Sequence, residues 1–304
     1  MSTEIYERVT ARIIEQLKQG VVPWQRPWDA RVSLPRNLVT QKEYRGINVL
    51  LLLSMSYKSP YWLTFRQVNQ AGGTVRKGEK ACPVVFWKQC TFEEKETGEQ
   101  LVVPFLRYYY VFNTAQCDGL KEEPEAVVIS GPADSLDKAK DIVAKMPLCP
   151  AIKHGKVKAS YSPKEDRVNM PSPTQFAKPV DYYAILFHEL VHSTGHESRL
   201  KRPAVMAGGV FGSDSYSKEE LLAEIGASFL CGQAGILDRT IDNSASYIDN
   251  WLGQFSQDTK LIVQAAAQAQ RAVDFILNIG GQSDAIGRPE AAETIKAAPD
   301  QQAA

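Results

Sequence analysis

His188-Glu189-Leu190-Val191-His192 is the stretch on which the reading of this chain turns. The apolar periodicity from about Val180 to Thr194, ended by Gly195, predicts a helix through it. Positions i and i+4 share a helix face, so both imidazoles can reach one cation. Glu189 is offset by one residue, which suits a carboxylate that works on an activated water rather than one that ligates. Zn2+ held by two His and one carboxylate keeps an open position and brings its water toward a neutral pKa. Mn2+ is a second divalent ion that these donors admit. Glu189 would take the water's proton during attack on a carbonyl and pass it to the leaving amine. Random placement of the fixed positions gives about 0.003 such motifs in a chain of this composition, and three of the four histidines fall within nine residues. The plainer reading is an exposed polar helix face. Tyr183, Leu186, Phe187, Leu190 and Val191 oppose it, because they predict a mostly buried helix whose polar groups need partners.

The third ligand is less directly readable. Metzincin spacing would require His at the position held by Ser198, and His196 lies past the turn at Gly195. A later helix, predicted from Ser217 to about Cys231, carries Glu220 and Glu224 four apart on one face. One can ligate while the other accepts the free N–H of a ligating His. Their spacing resembles the glutamate-zincin pattern, which makes Glu220 the ligand and Glu224 its support; the reverse order stays open. Ser217 and Glu220 also fit a capping box that needs no metal. Asp166-Arg167-Val168-Asn169-Met170-Pro171 reads as a sheet edge for an extended peptide, or equally as a structural hairpin. Tyr216 is an oxyanion candidate, with packing as the competing role.

Outward from this centre the chain has 304 residues, 44% hydrophobic and 23% charged, an ordinary globular composition that suggests two domains. Apolar runs such as Val49–Leu53 are far short of a membrane span, and the charged Met1–Gln19 segment is unlike a signal peptide. Five widely spaced cysteines with no C-x-x-C pair fit a reducing cytoplasm and leave metal binding to His and carboxylates. Helices are predicted over Thr3–Lys18, Ile47–Ser56, from Thr64, from Asp134 or Ser135 to Met146, and over most of Tyr247–Leu277. Strands are predicted over Ala81–Gln89 and Leu101–Phe112, with a small hairpin of Val157–Tyr161 and Arg167–Met170. The acidic, Pro- and Gly-containing stretch from about Asp118 to Pro132 reads as a linker, and the tail after Gly280 as frayed.

Charge is unevenly distributed along the chain. The overall formal charge is zero, yet residues 1–117 carry 16 Lys and Arg against 10 Asp and Glu, and the remainder is net −6. Basic residues interleaved with aromatics suit single-stranded nucleic acid, the rings stacking on bases and the cations tracking phosphates. Phosphate candidates are Arg26, Arg36, Lys42, Arg45, Arg66, Lys77 and Lys80; stacking candidates are Trp28, Tyr44 and Trp62. The competing reading makes those aromatics core.

Two ordered sets of motifs carry a family resemblance. The first is Pro23-Trp24, Pro27-Trp28, Pro35-Arg36-Asn37, Tyr44-Arg45-Gly46-Ile47-Asn48, Trp62-Leu63-Thr64, Gly72-Gly73 and Lys77-Gly78-Glu79-Lys80. It resembles the ArdC-type antirestriction proteins, and a similar segment opens some conjugative plasmid primases. The second, His188 to His196 followed by Arg199-Leu200, Glu219-Glu220-Leu221 and Ala223-Glu224-Ile225-Gly226-Ala227, resembles the zincin-like domain of the same family. The resemblance implies an α+β chain of two domains. These are a mixed α/β domain binding single-stranded DNA (1–118) and, after a linker (119–133), a mainly helical zincin-like domain with a small sheet (134–282), then a tail (283–304). It implies protection of incoming plasmid DNA from host restriction, with single-stranded DNA and an unidentified protein substrate, a host restriction component among the candidates, as partners. Two functions are thereby set against each other: a DNA-tethered metallopeptidase, and a DNA-binding shield whose metal site is only structural.

Overall fold

The computed structural model describes residues 2–24, 34–93, 100–120, 131–206, 214–236 and 245–279. Arg26, Trp28, most of the expected linker and the tail lie outside the described residues, as does the side chain of Tyr216. The chain is α+β, as its sequence predicts.

Helix α1 (Ser2–Lys18) buries Ile5, Val9, Ile13 and Leu17, a stripe spaced at one helical turn. Strand β1 (Arg36–Asn37) leads to α2 (Ile47–Leu53), which is buried almost throughout. Strand β2 (Tyr61–Thr64) runs straight into α3 (Phe65–Gln70), whose start is fixed by a Thr64–Gln67 capping box. After β3 (Thr74–Val75) come the two long strands β4 (Cys82–Glu93) and β5 (Gln100–Asn113), and then β6 (Cys117–Asp118). The first sheet has the order β1-β2-β5-β4; β3 and β6 form a separate pair. Asn48 of α2 acts as an extra sheet residue at the edge of β4. Its Nδ2 donates to the Val85 carbonyl at 2.7 Å and its Oδ1 accepts the Val85 N–H at 2.6 Å.

The second unit opens with α4 (Gly131–Lys145), followed by β7 (Ala151–His154), β8 (Ser160–Ser162) and β9 (Arg167–Met170). The expected hairpin forms from β8 and β9, antiparallel with Tyr161 opposite Val168, but its first strand is Ser160–Ser162 rather than Val157–Tyr161. However, β9 is the central strand: β7 pairs with its other side in parallel. The stretch expected to be an edge for substrate is therefore occupied on both sides, and β8 is an edge instead. Next come α5 (Pro179–Ser193), the short α6 (Pro203–Met206), α7 (Asp214–Ala234), α8 (Ala245–Gln257) and α9 (Leu261–Ile276). The helix α7 begins three residues before Ser217, so Ser217 is not a cap and the capping-box reading of Glu220 falls away.

The two units share one connected apolar core. Trp24, fully buried, meets Trp251 and Phe255 of α8 edge-on at centroid distances of 6.1 and 6.0 Å. Thr10 donates to the Thr259 carbonyl at 2.6 Å, and the Gly46 N–H donates to Gln270 at 2.9 Å. Small residues on α9 (Ala265, Ala266, Ala269, Ala272) are buried, which lets neighbouring helices approach closely.

Candidate metal centre

Helix α5 presents His188 and His192 one turn apart, with ring centroids 4.7 Å apart and planes nearly perpendicular. Helix α7 crosses it and brings Glu220 between them. Glu220 Oε2 lies 3.3 Å from His188 Nε2, its Oε1 lies 3.5 Å from His192 Nε2, and the two Nε2 atoms are 3.1 Å apart. Donors about 2.0–2.1 Å from a tetrahedral cation would be separated by about 3.4 Å, so this triangle has the size of a binding face. Three converging donors, half-buried on crossing helices, fit a divalent cation.

Two glycines without side chains allow close packing here, Gly226 where α7 meets α5 and Gly195 where the chain after α5 meets α6. A Cβ on Gly226 of α7 would meet Val191 Cγ2 at 2.9 Å, and one on Gly195 would meet Val205 Cγ2 at 2.5 Å. Beside Gly195 lies the buried guanidinium of Arg202. It donates to both Glu219 oxygens (3.0 and 2.6 Å), to Thr194 Oγ1 (2.6 Å) and to the Val191 carbonyl (2.8 Å). Glu219 in turn faces His192 Nδ1 at 3.4 Å. Glu219 thus supports the His192 imidazole, a role that the sequence reading assigned to Glu224. Glu224 instead accepts from Trp24 Nε1 at 2.9 Å and from the Tyr247 hydroxyl. Its carboxylate serves the joint between the two units. Glu219 stands beside Glu220 in sequence, but its role depends on Arg202, which only the folded chain places there.

The electrostatics favour a cation. Burial alone would depress the His192 imidazole, but the Glu219 and Glu220 carboxylates outweigh it and raise its pKa to about 10. Burial pushes Glu220 up, and the two imidazoles overcome that to hold it well below the usual carboxylate range. Glu189 is different. It is 8% exposed, and burial raises its pKa even though His192 and the Tyr161 backbone N–H oppose the shift. That N–H comes from β8, whose position is fixed by Arg199. The Arg199 side chain donates to the Ser193 carbonyl (2.7 Å), the Leu148 carbonyl (2.8 Å), Tyr161 Oη (3.2 Å) and Asp166 Oδ2 (3.1 Å). His196 is not part of the cluster; its Nδ1 lies 2.8 Å from Ser198 Oγ.

Among the described residues, the nucleic-acid candidates differ in exposure. Tyr44 and Trp62 are core, 8% and 2% exposed, with Trp62 against Tyr57 and Tyr44 against Phe86. Neither offers a face to a base, which corrects their reading as stacking residues. Arg36 is paired with Glu43 at 2.8 Å and Arg45 with Asp274. Lys42, Arg66, Lys77 and Lys80 are exposed.

Residues 3–112 match the N-terminal domain of the anti-restriction factor ArdC, and residues 137–268 match a zincin-like metallopeptidase family. The chain is 36% identical over 298 residues to a DNA primase TraC of Escherichia coli, of which it spans 27% of the length. It is 33% identical to the uncharacterized protein y4eC of Sinorhizobium fredii, covering 90% of this chain and 92% of that one. The metal-free crystal structure of the antirestriction protein ArdC from plasmid R388 superposes with a TM-score of 0.72 at 37% identity, over 89% of this chain and 96% of that one. A Mn(II)-bound structure of the same protein gives 0.71 at 36% identity, over 91% and 99%. Likeness over both units and nearly the full length of two of these relatives places this chain in the ArdC antirestriction family.

Proposed function

We propose that this chain binds single-stranded DNA through its N-terminal unit and hydrolyses a peptide bond at the metal centre, so protecting incoming DNA from a host restriction system. The observation that carries the peptidase reading is Glu189. It is a buried carboxylate beside three metal-binding donors, not one of them itself, anchored by a backbone N–H and pushed toward proton affinity. A purely structural metal site has no use for such a group.

His188, His192 and Glu220 would hold the ion, and zinc is the assignment this two-His, one-carboxylate set favours. When bound, the cation supplies Lewis acidity to the substrate carbonyl. Glu189 accepts the proton of the attacking water and returns it to the leaving amine. Arg202 and Glu219 hold His192 in its ligating orientation, and Arg199 keeps the β8 strand against Glu189. An extended peptide would lie along the open edge of β8. A cytoplasmic location is in keeping with Cys82, Cys117, Cys149 and Cys231, which form no disulfide among the described residues. Among the described residues no helix is long and apolar enough to cross a membrane.

The test is Glu189→Gln assayed for metal content by emission spectroscopy and for antirestriction in cells. The expected result is full metal with antirestriction abolished, whereas His188→Ala loses the metal as well. Retention of full antirestriction by metal-loaded Glu189→Gln would replace this reading with that of a DNA-binding shield with a structural metal.

A further inference from the structure

The exposed aromatic rings among the described residues of the N-terminal unit lie on strand β5 and at the start of α3. Phe65 is 56% exposed, and Tyr108, Tyr109 and Tyr110 are 40%, 46% and 49% exposed. Strand alternation sorts them. Tyr109 shares its face with buried Val111 and packs against Phe86 at 5.7 Å. Tyr108, Tyr110 and Phe112 share the other face at two-residue intervals, about 6.8 Å along the strand. Tyr108 and Tyr110 meet edge to face at 5.5 Å, and Phe65 continues the row beside Phe112 at 6.3 Å.

A soluble sheet rarely leaves such a row uncovered without a use. A cation stands at one end. The Arg8 guanidinium of α1 lies 5.7 Å from the centroid of the Tyr108 ring. Its other partner is Glu4, in an i,i+4 pair at 2.8 Å with both side chains more than half exposed, a contact of little worth that an incoming phosphate can displace. Arg66, next to Phe65 in the sequence, is exposed. Exposed tyrosine rings in a row on one strand, with Arg8 at the edge of the row, in the net-positive part of the chain, match the way single strands are held, bases on rings and phosphates on cations.

We infer that the Tyr108–Tyr110–Phe112–Phe65 face is the platform on which bases of single-stranded DNA stack, with Arg8 taking a phosphate at its edge. This rests on the DNA-binding reading above and gives it a location, different from the buried Tyr44 and Trp62. Because recognition is by ring faces, the site takes any base sequence and prefers single strands to duplex.

The experiment is fluorescence anisotropy of a short labelled oligothymidylate titrated with the full-length protein. The variants are Tyr108→Thr/Tyr110→Thr, which keeps strand propensity, and Tyr108→Phe/Tyr110→Phe, which keeps the rings. Circular dichroism and metal uptake check that both variants fold. The Thr pair is expected to weaken binding about five- to 150-fold per ring lost, the range for one base–aromatic stack, and the Phe pair to bind as the parent does. Arg8→Gln should reduce the salt slope, log K against log salt, by about 0.7. Parent-level binding by the Thr pair overturns the platform and leaves the DNA reading standing. Equal losses in the Phe and Thr pairs also overturn stacking. Failure of the parent protein to bind the oligonucleotide overturns the DNA reading itself, and the platform with it.

Discussion

His192 faces a carboxylate on each ring nitrogen, Glu219 at Nδ1 and Glu220 at Nε2. In the metal-free fold this holds a proton on the ring up to about pH 10, against an ordinary value of 6.5. The sign follows from linkage: the stabilisation it gives the metal-free fold is complete below about pH 6.5 and is lost as pH rises through 10. A cation must displace that proton, so at pH 8 metal binding should release about one proton from this site, and apparent affinity should fall about tenfold per unit of pH lowered through neutrality. Calorimetric titration in two buffers of different ionisation heat measures the release; equal heats in both would contradict it. The partner of Nδ1 gives a second test. Glu219→Gln should weaken metal binding about 10- to 100-fold, the usual loss when a hydrogen-bond partner of a ligating His is removed. Glu224→Gln should leave the metal affinity unchanged, because that carboxylate belongs to Trp24 and Tyr247. His188, Glu189 and His192 are legible in sequence because helical spacing alone brings the two imidazoles together. Which glutamate of α7 supports them depends on how two helices cross, and no local pattern records that.

The crossing of α5 and α7 is set by the missing side chain at Gly226, with Val191 of α5 against it. Adding one methyl group there overpacks the contact, and Gly226→Ala should cost about 1–3 kcal/mol. It should also weaken metal binding, since Glu220 would be carried away from the two imidazoles. Val191→Ala makes room for the methyl group, so the double variant should recover metal affinity relative to Gly226→Ala alone. Urea unfolding of the metal-free forms and a metal titration of each variant measure both effects; additive losses in the double variant would show that the contact does not set the spacing. Several elements were readable locally. The stripe of α1, the β4–β5 pair and the α5 helix have periods that dominate their own neighbourhoods. Strand β7 and the central place of β9 were not, because β7 joins β9 in parallel across an intervening strand and takes its partner from a distance. The aromatic row on β5 falls between these cases. Alternation places Tyr108, Tyr110 and Phe112 on one face, but only tertiary packing decides that Tyr44 and Trp62 are covered while Tyr108 and Tyr110 are exposed.

At the scale of the whole molecule, the two family segments meet in one core. The stripe of α1 and the Trp24 ring pack among α8 and α9, Arg45 pairs with Asp274, and Glu224 of α7 receives the Trp24 indole N–H. The sequence reading of two units joined by a linker anticipates their existence but not this sharing, since each contact joins residues some two hundred positions apart. A shared core has a measurable consequence. A ligand that binds the folded state alone stabilises everything that unfolds with it, by about 2.7 kcal/mol at a hundredfold excess over its Kd. Metal added at His188, His192 and Glu220 should therefore raise hydrogen-exchange protection of the slowest amides in α2, which lies in the other unit but packs against α9. Calorimetry should show one transition that moves up as a whole with metal. If α2 protection stays constant while α5 and α7 gain, the units unfold separately and the interface through Trp24 is a docking contact. Trp24→Ala distinguishes these cases further. Removing a fully buried indole from the joint should cost about 3–5 kcal/mol in the metal-free protein and should uncouple α2 protection from metal. The metal ligands themselves, which sit on α5 and α7, would remain assembled.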